Sequence, residues 1–589
     1  MVAAPVGILV LCVLGWLAWH FLAAPKQVAP VLSGGVLDES SLTQVTSSPG
    51  LDIYPSLSPD GSFIAYSSDQ NGNFEIYVKS RTPGGREIQL TSDGGENFQP
   101  AWSPDGKLIA YYSQKRGGIW LIPALGGSPR LLTDFGSHPA WSPDGSEIAF
   151  QSYPVNDLSQ GAFDAMPPST IWIVPTQGGT PTQVTKPGNP PGGHGAPSWS
   201  PDGSRIAFSV TSTFLGGIWS VSANGGEPQR LLQNRGYDPV YVPAGQALYF
   251  SGPTGIAWGL GRVAASPAGI ALGHTELVKD TGQVLYKHLN FSADGRFMAY
   301  SAISAANNIW SVRISPDKAE ATGPPEPLTH DTNFRKTGPL FSPDGSKITY
   351  GVYQVGANWD VWLMDSDGKN AKPLSVSRGA AQFASWFPGA ERLGIALRQE
   401  GHAFLESLDI ESGRRIRLRE MSNDWTSPRL SPDGKQIAFN STQGGTINVW
   451  TAPVEGGPPR QLTFDKELMG FPSWSPDGKF LAIEIKRGND SNLGIIPSGG
   501  GTPIQLTSDH GQTFPHDWSP DGDKIVFAGL RNGIWNLWWV SRRDKTEKQI
   551  TNYSKLNTYV RYPAWSPRGD QIVYEYGETT GNIWVMRMK

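Results

Sequence analysis

From residue 42 onward the chain alternates short apolar runs with tight clusters of Gly, Pro, Asp and Ser. Runs such as Leu108–Tyr112 and Ile148–Phe150, each bounded by turn residues, have the length of strands and not of helices. One apolar stretch is different. From Val6 to Ala24 the only ionisable side chain is His20. As a helix it would cover about 28 Å, enough for a bilayer core. Trp16 and Trp19 near its distal end suit a membrane interface. No Lys or Arg precedes Lys26, and Pro25 follows Ala23-Ala24, which argues against a cleaved signal peptide. Leu11 before Cys12 argues against a lipoprotein anchor. Residues 1–24 are therefore expected to be a transmembrane anchor and 25–41 a tether.

The remainder repeats one unit, which decides the expected fold. The marker Trp-Ser-Pro-Asp-Gly or a variant ends at Gly61, Gly106, Gly145, Gly203, Gly245, Gly295, Gly345, Ala390, Gly434, Gly478, Gly522 and Gly569. In it, Ser opens a turn, Pro presets φ, Asp closes onto the backbone and Gly accepts positive φ. An apolar strand follows, then an Ile-Trp strand (Ile119-Trp120, Ile309-Trp310, Ile583-Trp584), then a Gly-Gly turn and a Leu-Thr strand. Four short strands per repeat predict a propeller blade.

These residues resemble the WD40-like repeat (PD40 type) of the TolB-type β-propeller family, with WSPDG, IAF, IW and GG…LT in order over about residues 42–589. The resemblance implies an all-β chain of tandem β-propellers. Twelve four-stranded blades divide into two six-bladed rings, at 42–318 and 319–589, behind one N-terminal transmembrane helix. A long stretch between Trp310 and Leu328 reads as the crossover. Trp258 to Leu277 is as long, so seven plus five is the other division. The chain begins with a fourth strand and ends with a third. Each ring is expected to close with its own N-terminal strand, Val45-Thr46 beside Ile309-Trp310 and Leu328-Thr329 beside Ile583-Trp584.

Composition narrows the chemistry. Seventy Gly and 49 Pro leave little room for long helices, and 22 Trp exclude a disordered chain. A formal charge of −4, from 48 basic and 52 acidic residues, argues against a nucleic-acid surface. A single cysteine excludes a disulfide framework. There is no GxSxG, HExxH or Walker A motif. The DGK sequences fall in hairpin turns, as does the calcium-loop-like Asp365–Asn370, and Gly259–Ala264 is a chance dinucleotide fingerprint. No catalytic residue, metal site or cofactor is expected.

The expected function is a membrane-tethered, extracytoplasmic (periplasmic) binding or sensing scaffold for a protein, peptide or ligand, not an enzyme. The resemblance implies a bacterial-envelope protein, although only a tether precedes the repeats here, where TolB has a small α/β domain. The alternatives are a propeller hydrolase or lyase with its site at a ring mouth, and the sensor half of a kinase or DNA-binding regulator. Marker and Gly-Gly turns are alike from repeat to repeat, whereas the second-to-third and inter-blade connections vary. Recognition is therefore expected on the variable faces. The candidate rim comprises His138, Asp157, Phe163, His194, Asp238 and His288 in the first ring, and Arg335, Lys336, His516 and Arg561 in the second.

Overall fold

The computed structural model describes residues 42–588 except 83, 155–157, 159–168, 212–215, 233–235, 244, 255–256, 283, 332–333, 354–358, 375–379, 400–401, 488–489 and 509–510. The expected anchor at 6–24, Asp157 and Phe163 lie outside the described residues. Among the described residues there is no helix, and hence none long and apolar enough to cross a membrane. All strands pair antiparallel, in ten four-stranded sheets and one six-stranded sheet.

The marker does what its residues dictate. Ser58 Oγ donates to Asp60 Oδ1 (2.6 Å), the Ser62 and Phe63 amides donate to Asp60 Oδ1 and Ser58 Oγ, and Gly61 takes φ +71°. The Leu-Thr strand has its own lock. The Thr hydroxyl accepts the amide of the Ile or Val that opens the third strand, as from Ile76 to Thr91 (2.9 Å) and from Val449 to Thr463 (2.8 Å). The marker tryptophans fasten one sheet to the next. Trp141, Trp199 and Trp518 indole N–H groups donate to the carbonyls of Ala101, Ala140 and Ser473 in the preceding sheets. Middle strands such as Ile148–Gln151 are buried on both faces because sheets pack on either side.

The sheets contact one another in two closed successions of six. The first runs through the strands at Asp52–Leu57, Asn97–Trp102, Ser137–Trp141, Gly193–Trp199, Tyr237–Tyr241 and Leu285–Phe291 and returns to its start. The second runs likewise from Arg335–Phe341 to Thr558–Trp565.

The closure differs from expectation. Leu42–Gln44 pairs with Trp584–Met586, and the Ile583 amide donates to Thr46 Oγ1 (2.9 Å). Leu328 and Thr329 lie beside Ile309, whose amide donates to Thr329 Oγ1 (3.0 Å). Two 17-residue strands, Phe297–Arg313 and Gln571–Arg587, pair along their whole length. Each serves as second strand in one cycle and third strand in the other. The two cycles thus exchange third strands and share one sheet, which is not the single large ring that pairing of Val45 with 583–586 would otherwise suggest. Phe297–Arg313 contains no Gly or Pro, whereas Gln571–Arg587 runs straight in spite of Gly577 and Gly581.

This exchange sets the orientation of the two cycles. Phe297–Ile303 runs away from the marker turn at Ser292–Gly295, and Asn308–Arg313 runs toward the marker turn at Ser566–Gly569. At the shared sheet the variable-connection sides therefore face each other, about 13 Å apart over residues 304–307. Leu556 of the second cycle packs against the Leu51, Ile53 and Phe74 cluster of the first.

Candidate functional site

Each first strand carries a bulge at the residue seven positions before the marker glycine. In the first cycle these residues are Tyr54, Gln99, His138, Ala196, Asp238 and His288, with φ between +49° and +58°. All but His288 precede a proline. Left-handed backbone is unfavourable for such residues and costs about 1–3 kcal/mol each. The preceding sheet holds them there: the amides of Gln99, Ala196 and Asp238 donate to Ser67 Oγ, Gln151 Oε1 and Ser209 Oγ. His138 N donates to Gln99 Oε1 (2.7 Å), His288 N to Asp238 Oδ2 (3.1 Å), and Tyr54 N to Ser301 Oγ (3.2 Å). Six strained residues thus converge on one axis.

They border a cavity of about 440 Å³ whose wall continues through Trp102, Trp141 and Trp199 to Pro59, Pro104, Pro143, Pro201 and Pro243 of the marker turns. The cavity thus lies toward the uniform marker-turn side, not toward the variable connections where recognition is expected from the sequence.

The electrostatics are specific. Burial pushes the His138 imidazole down to about 4 and His288 to about 3, against the pull of Asp238 in each case. Burial would raise the Asp238 carboxyl, but Lys287, His288 and the His288 amide outweigh it and hold it at about 2. Lys287 Nζ lies 3.5 Å from Asp238 Oδ2. The Tyr54 ring lies 3.8 Å from that of His288 and edge-on to that of His138 at 5.9 Å. His288 Nδ1 bonds Ser301 Oγ. Among the described residues, the His138 ring nitrogens have no hydrogen-bond partner. At neutral pH the axis therefore presents neutral imidazoles, a phenol, an amide and an ion-paired carboxylate. These groups suit hydrogen bonding to a polar ligand. No cluster of three or more His, Cys, Asp or Glu among the described residues is placed to hold a metal ion.

A pH prediction follows. Both imidazoles have native values below the ordinary 6.5, so the native state binds fewer protons than the unfolded chain and loses stability as pH falls below 6.5 toward 4. Asp517, raised to about 6 by burial, acts oppositely, favouring the native state at low pH. Between pH 7 and 5, His138→Gln should lose about 1–2 kcal/mol less than the parent chain in denaturant melts. Parallel losses would rule out a buried neutral His138.

The other sequence candidates are distributed differently. His194 stands two residues before the axial Ala196. It is fully buried, bonding Thr185 Oγ1 (2.9 Å) and the Pro190 carbonyl (2.7 Å), so it is a packing residue and not on the rim. Lys336, two residues before Gly338, is also buried, its ammonium donating to Asp331 Oδ1 (2.8 Å). Arg335 Nε donates to the buried carboxylate of Glu575 at 2.9 Å. Arg561 is buried, with its guanidinium near the Trp535 and Tyr559 rings. His516 pairs with Phe527 in the ladder, and its side chain lies outside the described residues. Tyr54 and Gln99 are the axial residues that sequence reasoning missed. The offset of seven from the marker glycine, with Pro following, is the signal that marks them.

Tricorn protease homolog 1 of Streptomyces coelicolor is 37% identical over 90 residues, 15% of this chain and 8% of that protein. The Tol-Pal system protein TolB of Anaeromyxobacter dehalogenans is 28% identical over 116 residues, 20% of this chain and 26% of that one. The chain thus spans only a minor part of either relative. The crystal structure of TolB from Acinetobacter baumannii aligns with a TM-score of 0.37 at 18% identity, over 56% of this chain and 83% of that one. The TolB beta propeller domain matches residues 36–157, 137–389, 337–470 and 465–589, and with the repeated marker, the four-stranded sheets and their closed successions this makes the chain a member of that family.

Proposed function

We propose that the chain is a membrane-tethered, extracytoplasmic binding protein made of two six-bladed propellers with exchanged third strands, in which the axial cavity of the first receives part of a protein or peptide partner. The observation that carries this reading is the convergence of six strained first-strand residues, five of them polar or aromatic with hydrogen-bonding groups, on one cavity. Strain of this kind persists where the surrounding structure over-determines it, and it concentrates at ligand sites. In this reading residues 6–24 are the membrane anchor and residues 25–41 the tether. Similarity to a Tol-Pal system protein supports an interaction role in general. His138, a neutral imidazole whose ring nitrogens have no hydrogen-bond partner among the described residues, favours a second reading, a hydrolase or lyase with its base at the same axis.

The test places a photo-cross-linking residue at Ala293, on a marker turn of the cavity wall, or at Lys115, on a variable connection. The protein is studied in carbonate-washed membranes. Adducts from position 293 that His138→Gln weakens, with none from 115, are the expected result. Adducts from 115 alone would move recognition to the variable side. Full release by carbonate would remove the tether, and turnover of the captured partner would establish the second reading.

A further inference from the structure

The fourth strand of each sheet is its outermost, and among the described residues most are only two to four residues long. Two are longer: Ala271–Gly282, of 12 residues, and Arg415–Met421, of seven. A long outer strand presents a row of backbone groups that can pair with another chain. The two are not equivalent. Ala271–Gly282 shifts register three times against Ala257–Ala265, which breaks up its edge, and it carries Glu276 and Asp280 against Lys279. Arg415–Met421 shifts once against His402–Asp409.

Among the described residues, Arg415–Met421 is the last strand of its sheet and pairs only with His402–Asp409, so its outer edge is open. The register shows which groups face out. The Asp409 amide donates to the Arg414 carbonyl (2.9 Å), closing the turn between the two strands. Ladder bonds in an antiparallel pair fall at alternate residues, so Ile416, opposite Ser407, bonds inward. The N–H and C=O groups of Arg415 and Arg417 then point away from the sheet. Side chains alternate as well. Arg415 and Arg417 share one face, and Ile416 takes the other, where it is 46% exposed.

The charge on this edge is one-sided. Four arginines, Arg414, Arg415, Arg417 and Arg419, stand within six residues, and the strand itself adds only Glu420 against them. Glu420 lies 3.5 Å from His402, and Glu406 on the paired strand lies 4.0 Å from Arg415. Asp409 is taken up by the turn, accepting from the Glu411 and Ser412 amides. Arg417 stacks on the Phe404 ring at 3.9 Å, and Arg419 donates to the carbonyls of Pro453 and Gly457. These contacts orient both guanidinium groups without neutralising them. Like charges on facing strands repel, so the arginines bar a second copy of this edge and admit a strand of opposite charge. We propose that Arg415–Met421 is a docking edge onto which an extended, acidic polypeptide segment of a partner adds as a fifth strand, separate from the first axial cavity and independent of the reading given for it.

The probe is a fluorophore-labelled peptide of alternating Glu and Val with blocked ends, titrated against the full chain by anisotropy. Added as a strand, it lays its carboxylates beside Arg415 and Arg417 and its Val side chains beside Ile416. Binding should be saturable, and Arg415→Glu combined with Arg417→Glu should weaken it at least tenfold. His138→Gln should bind like the parent, so this edge and the first axis can fail separately. The same peptide methylated at every backbone amide keeps its charge but cannot complete the ladder, and it should bind at least tenfold more weakly. Hydrogen exchange on the parent chain should show new protection at the amides of Arg415 and Arg417, which carries the test if the double variant does not fold. Absence of saturable binding, equal binding by the double variant or of the methylated peptide, or protection gained over Ala271–Gly282 instead would overturn the proposal. A thymidine oligonucleotide of the same charge bound as tightly as the peptide would overturn the polypeptide assignment.

Discussion

Removal of residues 581–589 should open the first cycle of sheets while leaving most of the second intact, although the cut lies at the far end of the chain. Gly581–Arg587 is the third strand of the first cycle's last sheet, paired to Phe297–Ile303 on one edge and in part to Leu42–Gln44 on the other. Ile583, Val585 and Met586 are buried. Burying each contributes about 1.5–3 kcal/mol, and each ladder hydrogen bond adds about 0.5–1.5 kcal/mol. Together these are comparable to the roughly 5–15 kcal/mol that stabilises a whole domain. Hydrogen exchange should show lost protection across residues 50–296 and retained protection across the sheets from Arg335 to Trp518. The same topology predicts that residues 42–318 alone do not form a closed cycle, because their last sheet lacks its third strand. Native-like protection in either truncated chain would refute the exchange.

A second large effect is expected at Glu575, whose side chain is fully buried in the shared sheet. Its carboxylate accepts from Asn307 Nδ2 (2.7 Å), Arg335 Nε (2.9 Å) and Thr337 Oγ1 (2.6 Å). These donors come from both long strands' neighbourhood, so one side chain ties the exchanged strand to the first sheet of the second cycle. Burial disfavours the charge on Arg335, and Glu575 with the Tyr559 and Tyr562 hydroxyls more than offsets this, holding its pKa above the ordinary value. Glu575→Ala would leave that cation without its counter-charge, at a cost of about 3–5 kcal/mol. Combining it with Arg335→Met should recover much of the loss, since replacing both members of a buried pair is far milder than removing one. Denaturant melts of the two single variants and the double variant measure this directly. A double variant no more stable than Glu575→Ala would show that the pair is not coupled.

The expected rim illustrates how far register can be read from a sequence. His138, Asp238 and His288 do reach the axial cavity. His194 and Lys336 miss the axial position by two residues and Arg561 by one. In each case the side chain lies buried among neighbouring groups instead. Along a strand, direction alternates with every residue and the bulge inserts an extra one, so such an offset changes what the side chain meets. Counting back from the marker glycine removes this ambiguity, because the turn fixes the register of the strand that leads into it.

What the sequence determined by itself was local. Ser-Pro-Asp-Gly closes a turn through its own side chains, Leu-Thr caps the strand beside it, and alternating apolar runs make the sheets. Each of these interactions joins residues close along the chain, and each was legible as a repeat. The partners of the third strands were decided only in the tertiary structure. Ile309-Trp310 and Ile583-Trp584 present the same pattern to Leu-Thr strands of the same kind, so local chemistry fits either pairing equally well. Instead Phe297–Arg313 and Gln571–Arg587 each run straight from one cycle into the other and pair along their whole length. The axial sites were decided in the same way. Tyr54, Gln99, His138, Asp238 and His288 span more than two hundred residues of chain, and only closure of the cycle brings them to a common axis.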